Sequence, residues 1–390
     1  MMNRGQTVFA QLIEHLPIHV FRRCVHRYNG NYRSRRFSCL DQFLCMAFAQ
    51  ITYRESLRDI QSCLRAAGTK LLGLGIRGKI SKSTLADANE RRDFRIYEDF
   101  AMHLVSIALE LYSGESWGRN LKRSIYALDA TTIDLCLSLF PWARFRKRKG
   151  AIKVHTLIDV VTRIPTVIRV TPGNIHEVRI LDELCLEPGA IYLMDRGYMD
   201  FKRLHRLNAN GAFFVIRAKK NARFTRSESR PVDKQKGFRC DQTVHLVSPV
   251  PAAAYPEGLR RISYVDPEKQ KRLVFLTNNF QWAAATIAAL YKSRWRVELF
   301  FKWIKQNLRI KSFYGTSENA VKTQIWIAVI VYLLAAITKK HLKLSLSLAS
   351  ILQILSVTPF EKTPLQELLC ENDMTNPTND SCKPLTLFDL

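Results

Sequence analysis

The pattern of apolar and polar positions divides the chain into a helical first part and a strand-rich second part. Up to about residue 120, Ser56–Leu64 and Phe94–Leu111 carry apolar residues at helical spacing, and Cys39–Ala49 is rich in apolar residues. From about residue 124, short apolar runs are bounded by turn-forming residues, which is typical of strands. The sequence therefore predicts a helical region over 1–120, followed by a mixed α/β region.

The order of elements in the second part predicts the fold class. The segments that carry this order are Ser124–Leu128, Ile152–Val161, Thr166–Thr171, Glu177–Leu186, Ala190–Met194, Phe201–Asn208 and Ala212–Arg217. They read as three antiparallel strands, a helix, a strand, a helix and a strand. This is the order of an RNase H-like core, so we expect an α/β (α+β) fold of that class.

The interval 219–270 breaks this order. It has the candidate strands Thr243–Val247 and Leu259–Val265, several prolines and many basic residues, and Leu273–Thr277 reads as a strand after it. We interpret the interval as a β-rich insertion in the core. The predicted boundaries are a catalytic domain over 121–345 and a C-terminal extension over 346–390, loosely ordered after about residue 358.

Charge narrows the class of partner. The chain has 60 Lys and Arg residues against 34 Asp and Glu, a formal net charge of +26. A surplus of this size favours a polyanion, since basic surfaces gain affinity by releasing counterions from phosphates. We expect nucleic acid rather than a membrane, because no lipidation signal is evident and the longest apolar run, Ile325–Ile337, is short for a bilayer. Nine scattered cysteines without zinc-ligand spacing indicate reduced thiols and a cytoplasmic protein.

Two aspartates each follow a short apolar run. Asp129 comes directly after Ser124–Leu128, and Asp195 comes directly after Ala190–Met194. Adjacent strand ends are rigid positions that can bring two carboxylates to one cation. A single aspartate after a strand is more often a cap or a turn residue, and Asp134, Asp159 and Asp200 compete for the same role.

A third carboxylate lies on a basic helix. If 291–305 is helical, Tyr291, Arg294, Glu298 and Lys305 share a stripe roughly 60° wide, and Lys302 adds a further cation to this helix. Arg294 and Glu298 alone would be an ordinary i,i+4 pair on a solvated helix. Together with the two aspartates, the stripe can hold a metal ion and a phosphodiester. Hard oxygen ligands of this kind suit Mg²⁺ or Mn²⁺, and two such ions can act in phosphodiester displacement.

These residues resemble a known family. Asp129, Asp195 and Glu298 look like the catalytic triad of DDE transposases, and Tyr291, Arg294, Glu298 and Lys305, with two, three and six residues between them, match the signature of the insertion sequence four family. The resemblance covers about 110–340 and implies that the three carboxylates bind the metal. It also implies that Tyr291, Arg294 and Lys305 hold phosphates near the element's end. Glu177 stands where members of the family often have aspartate.

Other residues are candidates for DNA contact. The basic run Arg144–Lys149 is a solvated loop or, beside a phosphodiester site, a contact to the DNA backbone through Arg146, Arg148 and Lys149. Lys82 follows a serine N-cap candidate, so that helix is either a capped surface helix or a DNA contact through Lys82 and its first-turn amides. The glycines at 73, 75 and 78 have the dinucleotide-loop spacing but follow a helical segment, so no nucleotide cofactor is expected.

The sequence therefore predicts a bacterial DNA transposase with a helical DNA-binding region over 1–120. It would act on double-stranded DNA, namely terminal inverted repeats and target DNA, as a homodimer on DNA in the cytoplasm and at the nucleoid. Three alternatives stay open at this point. They are an RNase H-like nuclease that never joins strands, a non-catalytic DNA-binding protein derived from a transposase, and a basic structural or RNA-binding protein.

Overall fold

A computed structural model describes residues 5–34, 36–76, 80–114, 123–266, 270–307 and 313–370, without the side chains of 302–307. The strands are β1 (Ile125–Leu135), β2 (Arg144–Arg146), β3 (Lys149–Asp159), β4 (Pro165–Pro172), β5 (Ile191–Met194), β6 (Phe213–Arg217), β7 (Phe224–Arg230), β8 (Phe238–Leu246), β9 (Leu259–Asp266) and β10 (Lys271–Thr277). The helices are α1 (Val8–Glu14), α2 (Ile18–Arg27), α3 (Cys39–Ile51), α4 (Leu57–Ala67), α5 (Lys70–Gly73), α6 (Lys82–Arg91), α7 (Arg95–Leu111), α8 (Phe201–Ala209), α9 (Pro249–Ala254), α10 (Ala284–Ser293), α11 (Trp295–Asn307), α12 (Glu318–His341), α13 (Leu348–Val357) and α14 (Leu365–Cys370).

All of these strands belong to one mixed sheet. Its first half has the order β4-β3-β1-β5-β6, with β2 extending the same edge as β4. β1, β5 and β6 run parallel to one another, whereas β3 is antiparallel to both β1 and β4. This is the order expected of an RNase H-like core, and the predicted α/β fold class is confirmed.

The β-rich insertion continues this sheet. β10 pairs antiparallel with β6, and β9, β8 and β7 follow outward as antiparallel neighbours. The sequence does not predict β7, because its side chains are almost all polar and exposed and show no alternation of apolar and polar residues. The insertion is fixed by a buried ion pair in which the Arg260 guanidinium donates to both carboxylate oxygens of Asp241, at 2.8 and 2.6 Å.

The N-terminal helices pack around α12. This helix contacts α7, α3, α6 and α1, and it joins their core to one face of the sheet. By length and composition it could cross a membrane, but 94% of its most apolar window is buried inside the protein. The run Ile325–Ile337 is therefore part of a core helix.

Three segments differ from the sequence prediction. β1 does not end before Asp129 but continues to Leu135. Its second half contains β-forming threonines and pairs with β3, although it no longer pairs with β5. Only Glu177–Asp182 of the expected helix is helical, as a 3₁₀ turn, and β-branched Val178 and Ile180 disfavour an α-helix there. α13 and α14 bury leucines in the helical core, so the chain is ordered beyond residue 358, up to Cys370.

Candidate active site

Asp129 and Asp195 are neighbours at one edge of the parallel strand pair. The pairing of β1 with β5 ends at Leu128 and Met194, and each aspartate is the next residue in sequence, Asp129 within β1 and Asp195 just after β5. Because neighbouring strands lie about 4.8 Å apart, this register brings the two backbones close together. Asp129 is inside β1 rather than past its end, and its position is set by where β5 stops pairing.

Glu298 is linked to Asp129 by the side chain of Arg294. The guanidinium of Arg294 donates one hydrogen bond to Oδ2 of Asp129 at 2.7 Å and another to Oε1 of Glu298 at 2.5 Å. The expected single helix over 291–305 is interrupted at Arg294, since α10 ends at Ser293 and α11 begins at Trp295. The side chains of Arg294 and Asp129 are 13% and 19% exposed, so this bridge is largely shielded from solvent.

Burial and charge shape the protonation of this cluster. Burial raises the pKa of Asp129 despite the opposing effects of Arg294 and of the Ala130 amide. Burial lowers the pKa of Arg294, but Tyr291, Asp129 and Glu298 together raise it above its usual value. The guanidinium therefore stays charged, and it supplies the positive charge that the two carboxylates share.

The three carboxylates are the type of ligand that a divalent metal ion such as Mg²⁺ prefers. The carboxylate of Asp195 has no hydrogen-bond or ion-pair partner in the described part of the chain, and a carboxylate without a partner beside a strand end is suited to metal ligation. Arg294 shows that Asp129 and Glu298 already converge on one cation. Among the described residues, no three metal-ligating side chains form a ready metal site. A metal ion shared by all three carboxylates therefore requires Arg294 to move.

The competing aspartates have other structural roles. Asp159 caps the β3–β4 turn, where its Oδ1 accepts from the amides of Val161 and Thr162. Asp200 caps α8 by accepting from the amide of Arg203 at 3.1 Å. Asp134 lies on β1, five residues beyond Asp129, with an exposed side chain. None of the three is needed to complete the cluster.

The candidate DNA contacts on α10 and α11 differ in how far they are exposed and described. Tyr291 is buried against Phe275, with ring centroids 4.7 Å apart, and burial raises the pKa of Tyr291 to about 12. Its ring centroid lies 5.8 Å from the Arg294 guanidinium, so it supports Arg294 within the cluster. Lys302 and Lys305 belong to the backbone of α11, but their side chains lie outside the described residues.

The basic run at 144–149 forms β2, a tight turn and the start of β3 rather than a simple loop. Arg146, Arg148 and Lys149 are all exposed there.

At the start of α6, Ser81 is the N-cap, and its hydroxyl accepts from the amide of Thr84. The amide of Lys82 donates to Gln61, so two first-turn amides are already bonded within the protein, although the Lys82 side chain is exposed. α5 ends at Gly73, the first glycine of the dinucleotide-like spacing, so a helix leads into that segment, and Gly78 lies outside the described residues.

Tyr198 belongs to the site but was missed in the sequence. It ends the 3₁₀ turn that follows β5, and its amide donates to the carbonyl of Asp195 at 3.0 Å. Its side chain is fully buried, and its hydroxyl has no partner among the described residues. Burial raises the pKa of Tyr198, and the charges of Asp129 and Glu177 raise it further. A tyrosine three residues after an aspartate is too common a pattern to be recognised without the fold.

The buried His155 of β3 gives a pH-dependent stability. Burial, with a smaller effect of Lys153, lowers the pKa of His155 to about 4, and its Nδ1 has no partner among the described residues. The unfolded chain protonates this histidine near pH 6.5, so the folded state loses stability as the pH falls from 6.5 towards 4, by about 3 kcal/mol in all. We expect His155→Gln to flatten this part of a urea-unfolding pH series. The same substitution at exposed His245 should leave the slope unchanged, and equal slopes for wild type and His155→Gln would contradict the assignment.

Comparison with known proteins gives the family. Residues 120–334 match the model of a transposase DDE domain, and residues 4–77 match a domain of unknown function. A putative transposase of Sinorhizobium fredii is 34% identical over 66% of this chain and 71% of its own length. A probable insertion sequence transposase of Geobacillus stearothermophilus is 29% identical over 58% and 61%, and one of Synechocystis is 25% identical over 80% and 87%. The DDE match includes Asp129, Asp195 and Glu298 and more than half of the sequence. This chain belongs to the DDE transposases, the enzymes that cleave DNA and transfer its strands.

Proposed function

We propose that Asp129, Asp195 and Glu298 are the catalytic carboxylates of this transposase. The observation that carries the proposal is the register of β1 and β5, which brings Asp129 and Asp195 together, while Arg294 ties Glu298 to Asp129. The spacing of the signature residues supports assignment to the insertion sequence four family. The metal ions would be Mg²⁺ or Mn²⁺, and a pair of ions would fit, because three carboxylates offer enough oxygen ligands for both.

Side chains of the cluster would hold the metal ions and orient the phosphate that is cleaved. Two ions, when bound, would activate the attacking oxygen and stabilise the leaving oxygen. Asp129 and Asp195 provide fixed oxygens on the sheet, and Glu298 provides one from a helix packed against it. Arg294, released from its carboxylates, would bind a phosphate next to the cleaved bond, with Tyr291 holding its position.

The reaction has two steps of the same kind. Water first displaces the 3′ oxygen of the element from its phosphorus, which leaves a 3′-hydroxyl on the element. That hydroxyl then attacks a phosphodiester of target DNA, so that a new P–O bond forms while the target's own 3′ oxygen leaves. No covalent bond to the protein is needed in either step. Lys302, Lys305, Arg146, Arg148 and Lys149 would hold the DNA backbone during both.

We further propose the division of labour along the chain. Residues 1–120 bind DNA, 121–345 form the catalytic domain with its insertion at 219–270, and 346–390 extend it. The substrates are the terminal inverted repeats of the element and target DNA, held by a homodimer that assembles on DNA in the cytoplasm, at the nucleoid. The excess of 26 positive charges supports a DNA partner over an uncharged one.

A strand-transfer assay tests this function directly. With a pre-cut element end and Mg²⁺, we expect joined products when the end carries a 3′-hydroxyl, because that oxygen is the nucleophile. A matched end lacking the 3′ oxygen should bind equally but give no joined product. Cleavage of the uncut end without any joining of the 3′-hydroxyl end would instead identify a nuclease.

A further inference from the structure

A strongly basic, exposed segment lies far along the sequence from the proposed catalytic residues. Residues 15–40 contain six arginines and three histidines but no aspartate or glutamate. The segment falls within 4–77, the region that matches a domain of unknown function. It comprises α2 and the turn that leads to α3.

This segment is held rigidly. α2 buries Val20, Phe21, Cys24 and Val25 in the core, so its arginines point outward. The turn is fixed at its end, where Oδ1 of Asn31 accepts from the amide of Cys39 at 2.8 Å. From outside the segment, Arg92 donates to the carbonyl of Ser38 at 2.8 Å and to the hydroxyl of Ser34 at 3.0 Å. Arg33 and Arg36 are therefore presented from a backbone that is fixed by hydrogen bonds.

Four side chains form one continuous surface, the arginine face, defined as Arg22, Tyr32, Arg33 and Arg36. Arg22 and Arg36 line the same groove, which has a volume of about 1170 Å³. Arg22 and Tyr32 line the adjoining recess of about 520 Å³. The guanidinium of Arg33 lies 5.1 Å from the centre of the Tyr32 ring, and that ring is 72% exposed.

The cations of this face have no counterions among the described residues. Within the described residues, Arg22, Arg33 and Arg36 are exposed and form no salt bridge, whereas Arg27 on another side of α2 pairs with Asp99 at 2.5 Å. The groove does hold two carboxylates, but both are engaged elsewhere. Asp41 accepts from the amide and hydroxyl of Ser38 as part of a capping box, and Glu14 accepts from Gln6. The positive charge of the face is therefore available to an external anion.

We propose that the arginine face binds the phosphate backbone of duplex DNA. This rests on the proposed function, and it extends the DNA-binding surface of the N-terminal region from the start of α6, where Thr84 lines the same groove, to the arginine face. Guanidinium groups bind phosphate oxygens through paired hydrogen bonds, and Tyr32 can pack against a deoxyribose between two phosphates. An anionic membrane fits less well, because the apolar side of α2 is buried in the core and is not free to enter a bilayer.

The test compares two variants of the full-length protein that lose the same charge. The first is Arg22→Gln with Arg33→Gln and Arg36→Gln. The control is Arg23→Gln with Arg58→Gln and Arg65→Gln, three exposed arginines outside the face. Arg23 is the sharpest comparison, since it adjoins Arg22 in sequence but lines a different recess, beside Asp99.

Binding is measured by fluorescence anisotropy with a labelled mixed-sequence duplex at several salt concentrations. We expect the face variant to bind about 10- to 100-fold more weakly and to reduce the salt slope by about 2 to 3, since each phosphate contact contributes about 0.9. The control should change affinity less than about 3-fold, with a salt slope close to that of wild type. Thermal unfolding establishes that both variants are folded.

Equal losses in the two variants would overturn the proposal, because they would reflect overall charge rather than this face. It would also be overturned if the face variant lost binding to phosphatidylserine vesicles while its DNA binding was retained. Failure here is separable from failure of the catalytic assignment. The face variant should still cleave when DNA is saturating, since its carboxylates are intact, whereas a catalytic variant should bind DNA without cleaving it.

Discussion

Asp195→Ala is expected to lower the rate of metal-dependent end cleavage by about 1000-fold or more while leaving DNA binding nearly unchanged. Loss of a metal ligand, the role proposed for Asp195, removes several kcal/mol of stabilisation from the transition state, and about 4 kcal/mol corresponds to a 1000-fold loss of rate. The measurement is single-turnover cleavage of an end duplex in Mg²⁺, with binding measured separately by anisotropy in Ca²⁺ or without metal.

Asp195 is the cleanest of the three positions for this test. Its carboxylate has no partner in the described structure, so its removal breaks no stabilising contact. Asp129→Ala would also leave Arg294 largely buried with one carboxylate instead of two, which adds a cost in stability. We therefore expect Asp195→Ala to unfold at the temperature of wild type or slightly above it.

Asp134→Ala is the matched control. It removes an exposed carboxylate from β1, the strand that carries Asp129, without touching the cluster. Its cleavage rate should stay within about 2-fold of wild type, as is usual for an exposed position away from special features. Cleavage by Asp195→Ala at the wild-type rate would remove Asp195 from the active site.

The sequence was sufficient to predict the core because its strands are short apolar runs in an unusual order. The run before Asp195 is buried on both faces and the run before Asp129 nearly so, and buried parallel strands of this kind are visible as continuous apolar segments. The register between them was not predictable, since nothing local fixes where β5 stops pairing with β1. For the same reason the continuation of β1 to Leu135 was missed.

Tertiary contacts explain the remaining differences. Helical spacing predicted that Arg294 and Glu298 would be neighbours, but the bond from Arg294 to Asp129 joins residues 165 positions apart. Tyr291 looks like a surface phenol in the sequence, and only the packing of Phe275 from β10 shows that it is buried. The insertion was recognised by its prolines and charges, whereas its place in the main sheet depends on the pairing of β10 with β6.

Arg294 and the arginine face differ in whether acidic side chains neutralise their positive charge. Arg294 is bound to the carboxylates of Asp129 and Glu298, while Arg22, Arg33 and Arg36 form no salt bridge with any described residue. This contrast suggests an order of events in which the arginine face meets DNA first and the catalytic cluster rearranges afterwards. The rearrangement can be tested without DNA, because it depends on competition between Arg294 and a metal ion for the same carboxylates.

Arg294→Gln is expected to bind Mn²⁺ about 10-fold more tightly than wild type when DNA is absent, although it should cleave DNA more slowly. In the wild type a metal ion must displace the guanidinium from Asp129 and Glu298. A positive charge beside a divalent ion costs a few kcal/mol at an effective dielectric constant of about 20, and solvent reduces this. Glutamine removes that charge, but it also removes the group that would hold a phosphate during cleavage.

Isothermal titration calorimetry with Mn²⁺ measures the affinity, and the rise in unfolding temperature with added Mn²⁺ gives an independent reading. Arg296→Gln is the matched control, since Arg296 lies two residues away in α11 and donates to the carbonyl of Val160 rather than to these carboxylates. Its Mn²⁺ affinity should match wild type. If Arg294→Gln bound Mn²⁺ no more tightly than Arg296→Gln, Arg294 would not be the cation that a metal ion replaces, and its bridge would be a permanent part of the site.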